Sequence, residues 1–415
     1  MTSRGVVSDS SLPGATAPKV GLFGLLGSGN TGNDASLQSM LAYLRQDHSD
    51  AVIDALCAGP EELRASYGVD AAPLFWYTRF EQRKTGAQAA FLKVLGKGID
   101  TVRIASWVRR HDAVIVPGAG VLETSLPLPP WGFPFTMFVL CLSGRVFRTK
   151  IALVSVGANV IRQPLTRWLF TSAARLAAYR SYRDTLSHDA MRHNGVDTRS
   201  DHIFIDLAFG IQVPPYGPGD ERTVGLGVMD FYGTNDDDRS QASAIHNSYL
   251  QNMKTFARWL VDHDYKIRLF VGDTNGSDQT VVEEMLADLR AYRPDLDHEW
   301  VAAEPVATYA DLMRAMAPAG TVIATRYHNL ICALMLAKAT LSVGYGAKNE
   351  ALMTETGLTE YCQSVHSLDI DQLIKQFTDL ESRAADVRQV IAERNEVYRQ
   401  LVEGQFAELS AVLFR

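Results

Sequence analysis

Short apolar runs that each close on a glycine-bearing turn and lead into a helix-periodic stretch recur along this chain. That alternation restricts it to folds in which helices pack between strands. In the first half the runs lie at residues 20–25, 51–56, 113–116 and 151–156. The first leads through Gly24, Gly27, Gly29, Asn30 and Gly32 into a helix-like stretch at 34–44. Glycine lets a backbone turn tightly and approach a ligand, while Ser28, Asn30, Thr31 and Asn33 offer polar contacts and a helix cap. The loop lacks the G-K-[ST] of a P-loop, and its glycine spacing is not G-x-G-x-x-G. Two further loops, Pro117-Gly118-Ala119-Gly120 and Val156-Gly157-Ala158-Asn159, stand at the carboxyl ends of their runs, where open α/β sheets bind ligands. Strand-to-helix turns often need glycine for geometric reasons alone, so the informative point is that three such loops would line one crevice.

Near residue 213 the sequence becomes Val-Pro-Pro-Tyr-Gly-Pro-Gly-Asp-Glu-Arg, a cluster of breakers and charge that reads as a linker. Strand-like runs return at 224–228, 267–271, 321–324 and 340–343, and from 370 the pattern is helical and charged, at 372–380 and 387–413. The predicted fold class is α/β, with two Rossmann-like domains facing a cleft in a GT-B-like arrangement and C-terminal helices. The expected divisions are a disordered tail at 1–18, domains at 19–214 and 215–369, and a helical segment at 370–415.

Arg326-Tyr327-His328 lies between the apolar run 321–324 and a helix-like stretch at 329–337. On an extended backbone, side chains two apart project to the same side, so Arg326 and His328 are expected to address one ligand together. Arginine clamps a carboxylate or phosphate with paired donors, and histidine moves a proton near neutral pH, so the pair predicts an anionic substrate. A lone R-x-H is more often a surface arginine beside a satisfied histidine. Its place at a strand end, next to helix N–H groups, favours the site.

Composition sets the bounds. The chain has 415 residues, 47% hydrophobic and 21% charged, the balance of a soluble globular enzyme. Its formal net charge of −7 argues against nucleic acid as a partner. Cys57, Cys141, Cys332 and Cys362 are far apart and read as reduced core cysteines, and residues 1–18 read as a flexible tail rather than a leader, so the expected compartment is the cytoplasm. Residues 126–142 are uncharged and hold Trp131, Phe133, Phe135 and Phe138, but Pro127, Pro129, Pro130 and Pro134 break the run and it is short for a span. It reads as a buried helix after a Pro-rich loop. The alternative is an apolar rim facing a lipid-linked acceptor, with peripheral contact at the inner face of the membrane. Asp236-Asp237-Asp238 reads as a solvated loop rather than a metal site.

Taken in order, several short motifs resemble the polysaccharide pyruvyl transferase family over most of residues 20–360. Gly29-Asn30-Thr31-Gly32-Asn33-Asp34 is similar to its G-N-x-G-[DN] start, and residues 112–120 to its D-x-[VI]-x-x-G-G-G segment. Ser181-Tyr182-Arg183-Asp184 with Ser187 resembles its R-D-x-x-S stretch, and Asp206 stands where the family has an aspartate after a strand. Arg326-Tyr327-His328 matches its R-x-H, and Tyr345 with Lys348 its Y-x-x-K. The chain departs from the pattern at Ala119, where glycine is usual, at Asn33-Asp34, and at Leu207, where proline is common.

The resemblance implies phosphoenolpyruvate as donor co-substrate, with no cofactor and no metal. The acceptor would be a saccharide, lipid-linked saccharide or glycolipid whose diol becomes a pyruvate ketal as phosphate leaves. Arg183, Arg326 and Lys348 are then expected to neutralise the donor, and His328 to protonate its methylene carbon. Gly29, Asn30, Gly32, Asn33, Gly118 and Gly120 are expected to bind substrate, with the acceptor on the N-terminal side and phosphoenolpyruvate on the C-terminal side. Two rival readings remain. One is a sugar-nucleotide glycosyltransferase of the same architecture, against which stands the want of a ribose-binding acid late in the second domain, Glu350 and Glu355 being the substitutes. The other is a non-catalytic module that binds an anionic saccharide or scaffolds a complex. No motif specifies the acceptor sugar or the oligomeric state.

Overall fold

Strands and helices alternate to build two sheets in which every paired strand runs parallel. The computed structural model describes residues 17–76, 87–124, 129–234, 237–274 and 276–414. The tail through residue 16, residues 125–128 of the Pro-rich loop, and Asn235 and Asp236 lie outside them. The first sheet contains β1 (Lys19–Gly24), β2 (Val52–Cys57), β3 (Asp70–Pro73), β4 (Ala113–Pro117), β5 (Lys150–Val156), β6 (Tyr179–Tyr182) and β7 (His202–Ile203), in the spatial order β3-β2-β1-β4-β5-β6-β7. The second contains β8 (Asp220–Gly227), β9 (Lys266–Phe270), β10 (Val301–Ala303), β11 (Ala319–Ala324), β12 (Ala339–Gly344) and β13 (Cys362–Ser364), in the order β10-β9-β8-β11-β12-β13. This is the predicted α/β class with two Rossmann-like sheets. All eight apolar runs named from sequence fall on strands, because central parallel strands are covered by helices on both faces and read as continuous apolar stretches. The strands that sequence reading passed over, β3, β6, β7, β10 and β13, have two to four residues, too few to carry a period.

In each sheet the strand order reverses once, between β1 and β4 and between β8 and β11. Loops leaving the carboxyl ends at such switch points form the crevice where α/β proteins take ligands. The two crevices face one another because the first glycine-rich loop is tied to the loop after β9. The Thr31 amide and hydroxyl both donate to the Gly272 carbonyl, the hydroxyl at 2.8 Å, and the Thr274 amide donates to the Gly29 carbonyl at 2.9 Å. One apolar core runs through both halves, joining Leu22 and Leu44 to Val224 and Leu330.

The final helix, Ala384–Leu413, packs against both domains. Its buried apolar residues Val387, Ile391, Tyr398, Val402, Leu409 and Leu413 follow one another at steps of four and seven, a narrow seam on one face. Near its start Asn395 donates to the Leu334 carbonyl of the second domain at 2.6 Å. Near its end Gln405 is fully buried under the first sheet, accepting from Ser155 Oγ at 3.0 Å and donating to Ser181 Oγ at 2.8 Å. Residues past Tyr398 thus pack on the domain that the sequence places before residue 214.

The uncharged segment forms the helix Phe133–Phe147, buried on one face only. Phe133, Met137, Leu140 and Cys141 enter the core, whereas Leu142 and Val146 are exposed. The expected buried helix is thus buried on one face and exposed on the other, and apolar residues stand on both. Cys57, Cys141 and Cys332 are buried free thiols and Cys362 is a half-buried one.

Gln405→Ala removes the hydrogen bonds that tie the final helix to Ser155 and Ser181. We expect it to lower stability by about 1–3 kcal/mol, read as a fall in the urea midpoint at unchanged m-value.

Candidate active site

β11 ends at Ala324, and Arg326 takes an extended conformation, φ −69° and ψ 138°, as the N-cap of the helix Tyr327–Met335. The chain turns helical between Arg326 and His328. The rule that residues two apart share a side holds for strands, so here it fails and the two side chains part. Arg326 makes a two-pronged pair with the fully buried Asp278, Nε to Oδ2 and Nη2 to Oδ1, both at 2.7 Å. His328 turns toward the first domain. Its Nε2 lies 3.7 Å from Asp206 Oδ2 and, among the described residues, has no hydrogen-bond partner.

Asp206 is one rung of a ladder of alternating charge. From the second domain, Lys348, in the first turn of the helix Ala347–Thr356, donates to Glu123 Oε2 at 3.1 Å. The other Glu123 oxygen accepts from Arg183 Nη2. Arg183 Nη1 then reaches Asp206 Oδ2 at 3.2 Å, and Asp184 lies 3.4 Å from its Nε. The order is Lys348, Glu123, Arg183, Asp206, His328, with both ends supplied by the second domain and the middle by loops after β4, β6 and β7. Arg183 and Asp206 are 2% and 0% exposed, so their charges persist only because each faces an opposite one. The Tyr327 ring supports the ladder from beneath. Its centroid lies 4.7 Å from the Arg183 guanidinium and 5.4 Å from Lys348 Nζ, which is also 5.3 Å from the Tyr345 ring.

Burial pushes the Asp206 carboxyl up, but His328, Arg183 and the Ala208 amide outweigh it and hold the group at about 2. Glu123 behaves alike. Burial raises it, Lys348 and Arg183 lower it further, and the result is about 2. Both carboxylates are ionised across the physiological range.

Missing side chains make room for the ladder. A Cβ on Gly32 would stand 1.9 Å from His328 Nδ1, and one on Gly157 would stand 2.6 Å from both Arg183 Nη2 and Glu123 Oε1. Gly120 approaches the Glu123 carboxylate in the same way, at 2.8 Å, and Gly118 approaches Ser36 Oγ at 2.4 Å with φ +54°. Ala119, between them, has φ +60°, a conformation that favours glycine.

The first glycine-rich loop, expected to bind substrate, spends its polar groups within the protein. Asn30 caps the helix Thr31–Asp47 by accepting from the Gly32 and Asn33 amides, Asn33 donates to the Leu25 carbonyl at 3.1 Å, and Gly29 accepts from Thr274. These residues seat His328 and hold the two domains together. Sequence reading assigned no role to Glu123, Asp278 or Tyr327 and noted Asp206 only as a motif position. Only Asp206 carried a signal, its place after a strand.

A cleft of about 830 Å³ opens between the domains. Glu123, Asn159, Arg162 and Asp184 wall it on one side, and Arg239, Tyr345 and Lys348 on the other. Of the ladder, Glu123 and Lys348 face the cleft, while Arg183, Asp206 and His328 stand behind them. The sequence profile of the family described as polysaccharide pyruvyl transferase matches residues 30–346, a span that holds every rung except Lys348. The chain belongs to this family. No curated protein matches it. Among solved structures, a putative UDP-N-acetylglucosamine 2-epimerase from Listeria monocytogenes is 13% identical with a TM-score of 0.60, over 95% of this chain and 96% of that one. Alr3699/HepE from Anabaena in complex with UDP is 10% identical with a TM-score of 0.58, over 95% and 99%. The UDP-GlcNAc 2-epimerase of Neisseria meningitidis bound to UDP-GlcNAc is 12% identical with a TM-score of 0.56, over 94% and 99%. At such identities the likeness is one of fold, and it places this family member among GT-B-like proteins, as the sequence predicts.

Two outcomes are expected. Asp206 has a folded pKa below its unfolded value of 3.8, so the stability it contributes is present above about pH 4 and is lost as pH falls toward 2. Asp206→Asn should therefore cost about 3 kcal/mol near neutral pH, a gap that narrows in urea titrations run from pH 5 to pH 2.5. Ala119→Gly relieves the positive φ and should raise stability by about 1 kcal/mol, seen as a higher melting temperature.

Proposed function

We propose that the protein transfers the pyruvyl group of phosphoenolpyruvate to a sugar diol, forming a cyclic ketal and releasing phosphate. The observation that carries this reading is the ladder, which brings Lys348 to the wall of the cleft and sets Arg183 and His328, from two domains, directly behind it. Phosphoenolpyruvate brings a carboxylate and a phosphate, and Arg162, Arg239 and Lys348 along the cleft are the cations it would meet first. Glu123 is the internal counter-ion of Arg183 and Lys348, so an incoming anion takes over a charge the protein already balances. Membership of the family supports the transferase class, and the dinucleotide-like folds of both halves suit an anionic donor at helix N-termini.

His328 serves as the general acid that adds a proton to the donor's methylene carbon, with Asp206 orienting the ring. The carbon bearing the phosphate ester becomes oxocarbenium-like and accepts one sugar hydroxyl, which gives up its proton. The second hydroxyl then attacks the same carbon, its C–O bond forming as the C–O bond to phosphate breaks, and its proton leaves with the phosphate. One phosphoenolpyruvate and one diol yield one ketal and one phosphate. Arg326, paired with Asp278 at the mouth of the second crevice, is the donor-side cation nearest the start of the helix that carries His328.

Purified protein is expected to release phosphate from phosphoenolpyruvate only when a suitable saccharide or glycolipid acceptor is present, and His328→Ala should lower that rate by at least about a hundredfold. Transfer from a nucleotide sugar with no use of phosphoenolpyruvate would move the reading to a glycosyltransferase, and binding of anionic saccharide without turnover to a non-catalytic module.

A further inference from the structure

Between Glu123 and Asp184 lies a stretch of 60 residues, 124–183, without one aspartate or glutamate, although the chain as a whole carries a net charge of −7. The same stretch holds eight lysines and arginines. Arg180 and Arg183 are paired with carboxylates, but Arg145 and Arg167 are exposed on two neighbouring helices, Phe133–Phe147 and Pro164–Leu176, and Arg148 is exposed just past the end of the first.

The same two helices carry exposed apolar side chains. Leu142 and Val146 are 41% and 64% exposed and with Phe135 and Phe138 recur at steps of three and four along one helix side, and Trp131, 58% exposed in the turn before the helix, extends the stripe with its ring 5.7 Å from Phe135. Trp168, 53% exposed, stands on the adjacent helix with its ring 5.1 Å from Phe138. One end of the stripe reaches the cleft, whose wall includes Pro129, Pro130 and Val160. The other ends at Arg145 and Arg148, with Arg109 lying 6.0 Å over the Phe147 ring. No helix among the described residues is long and apolar enough to cross a membrane.

We infer that this face is a docking surface for an anionic phospholipid leaflet, entered by Trp131, Trp168 and the apolar stripe and held by the surrounding arginines. A helix face with tryptophan and aliphatic residues bordered by cations is the pattern of a segment lying in a membrane interface. Charge complementarity selects the leaflet, since two helices that carry arginines and no carboxylate, in an acidic protein, attract an anionic surface and not another copy of themselves, which would bring like charges together. Continuity with the cleft gives docking a use: the opening lies at membrane level, where a lipid-linked saccharide presents its sugar. That use rests on the pyruvyl-transfer reading, whereas docking itself does not.

The test is sedimentation of the full chain with vesicles of phosphatidylglycerol and phosphatidylcholine, against phosphatidylcholine alone, at low and high salt. Binding to the anionic vesicles that weakens with salt is expected. Arg145→Glu/Arg148→Glu and Trp131→Ser/Trp168→Ser should each reduce it by more than about tenfold, with thermal melts unchanged to show that the variants fold. Absence of binding to either vesicle, binding that both double variants retain, or a dimer that the tryptophan variant abolishes would overturn the proposal. Phosphate release with a water-soluble acceptor, measured in parallel, should be the same in wild type and both variants. Its absence in wild type alongside intact vesicle binding would sink the pyruvyl-transfer reading and leave the docking surface standing.

Discussion

A buried guanidinium governs the arrangement of this protein. Arg183 has almost no contact with solvent, and a charge in that position is tolerated only where carboxylates meet it on several sides. Glu123, Asp184 and Asp206 do so, each from a different part of the first domain's carboxyl edge. Those carboxylates in turn require Lys348 and His328, which the second domain alone supplies. Replacing such a network with apolar residues would often be neutral or stabilising, so stability is a weak reason for a chain to keep it. Under the proposed reading, it holds charge ready for the anionic donor at a defined place.

Much of the architecture was legible before any coordinates. The parallel strands are continuous apolar runs because helices cover both faces, and the glycine turns fall where strands hand over to helices. The site was legible only in part. Arg183, His328 and Lys348 converge on one ladder, but Arg326 leaves it, because a helix begins immediately after Arg326 and the strand rule for residues two apart no longer applies. Glu123 lies 60 residues from Arg183 and 225 from Lys348, and Asp278 lies 48 from Arg326. Pairings at those separations are set by how two sheets face one another, and no local pattern encodes them.

The glycines show how one residue type serves two ends. From sequence, Gly29 and Gly32 suggest a cradle for a ligand, and the loop is indeed built for close approach. What approaches is the protein itself, the His328 ring against Gly32 and Thr274 against Gly29. The general base for such readings is the same steric fact, that a missing Cβ admits a neighbour, and the neighbour's identity is settled only by the tertiary fold. Ala119 marks the opposite case, a side chain kept where the backbone favours none.

The helix that carries Gln405 joins parts of the chain that lie far apart. Ser155 and Ser181 belong to strands of the first sheet, yet the Gln405 that satisfies them lies 250 and 224 residues further along. Between those positions the chain lays down the linker and the whole second sheet, so that flank of the first sheet is satisfied only from beyond the second domain. Since the same helix is anchored on the second domain at Asn395, one element both covers the first sheet and holds the second domain, so the two walls of the cleft share a single tie.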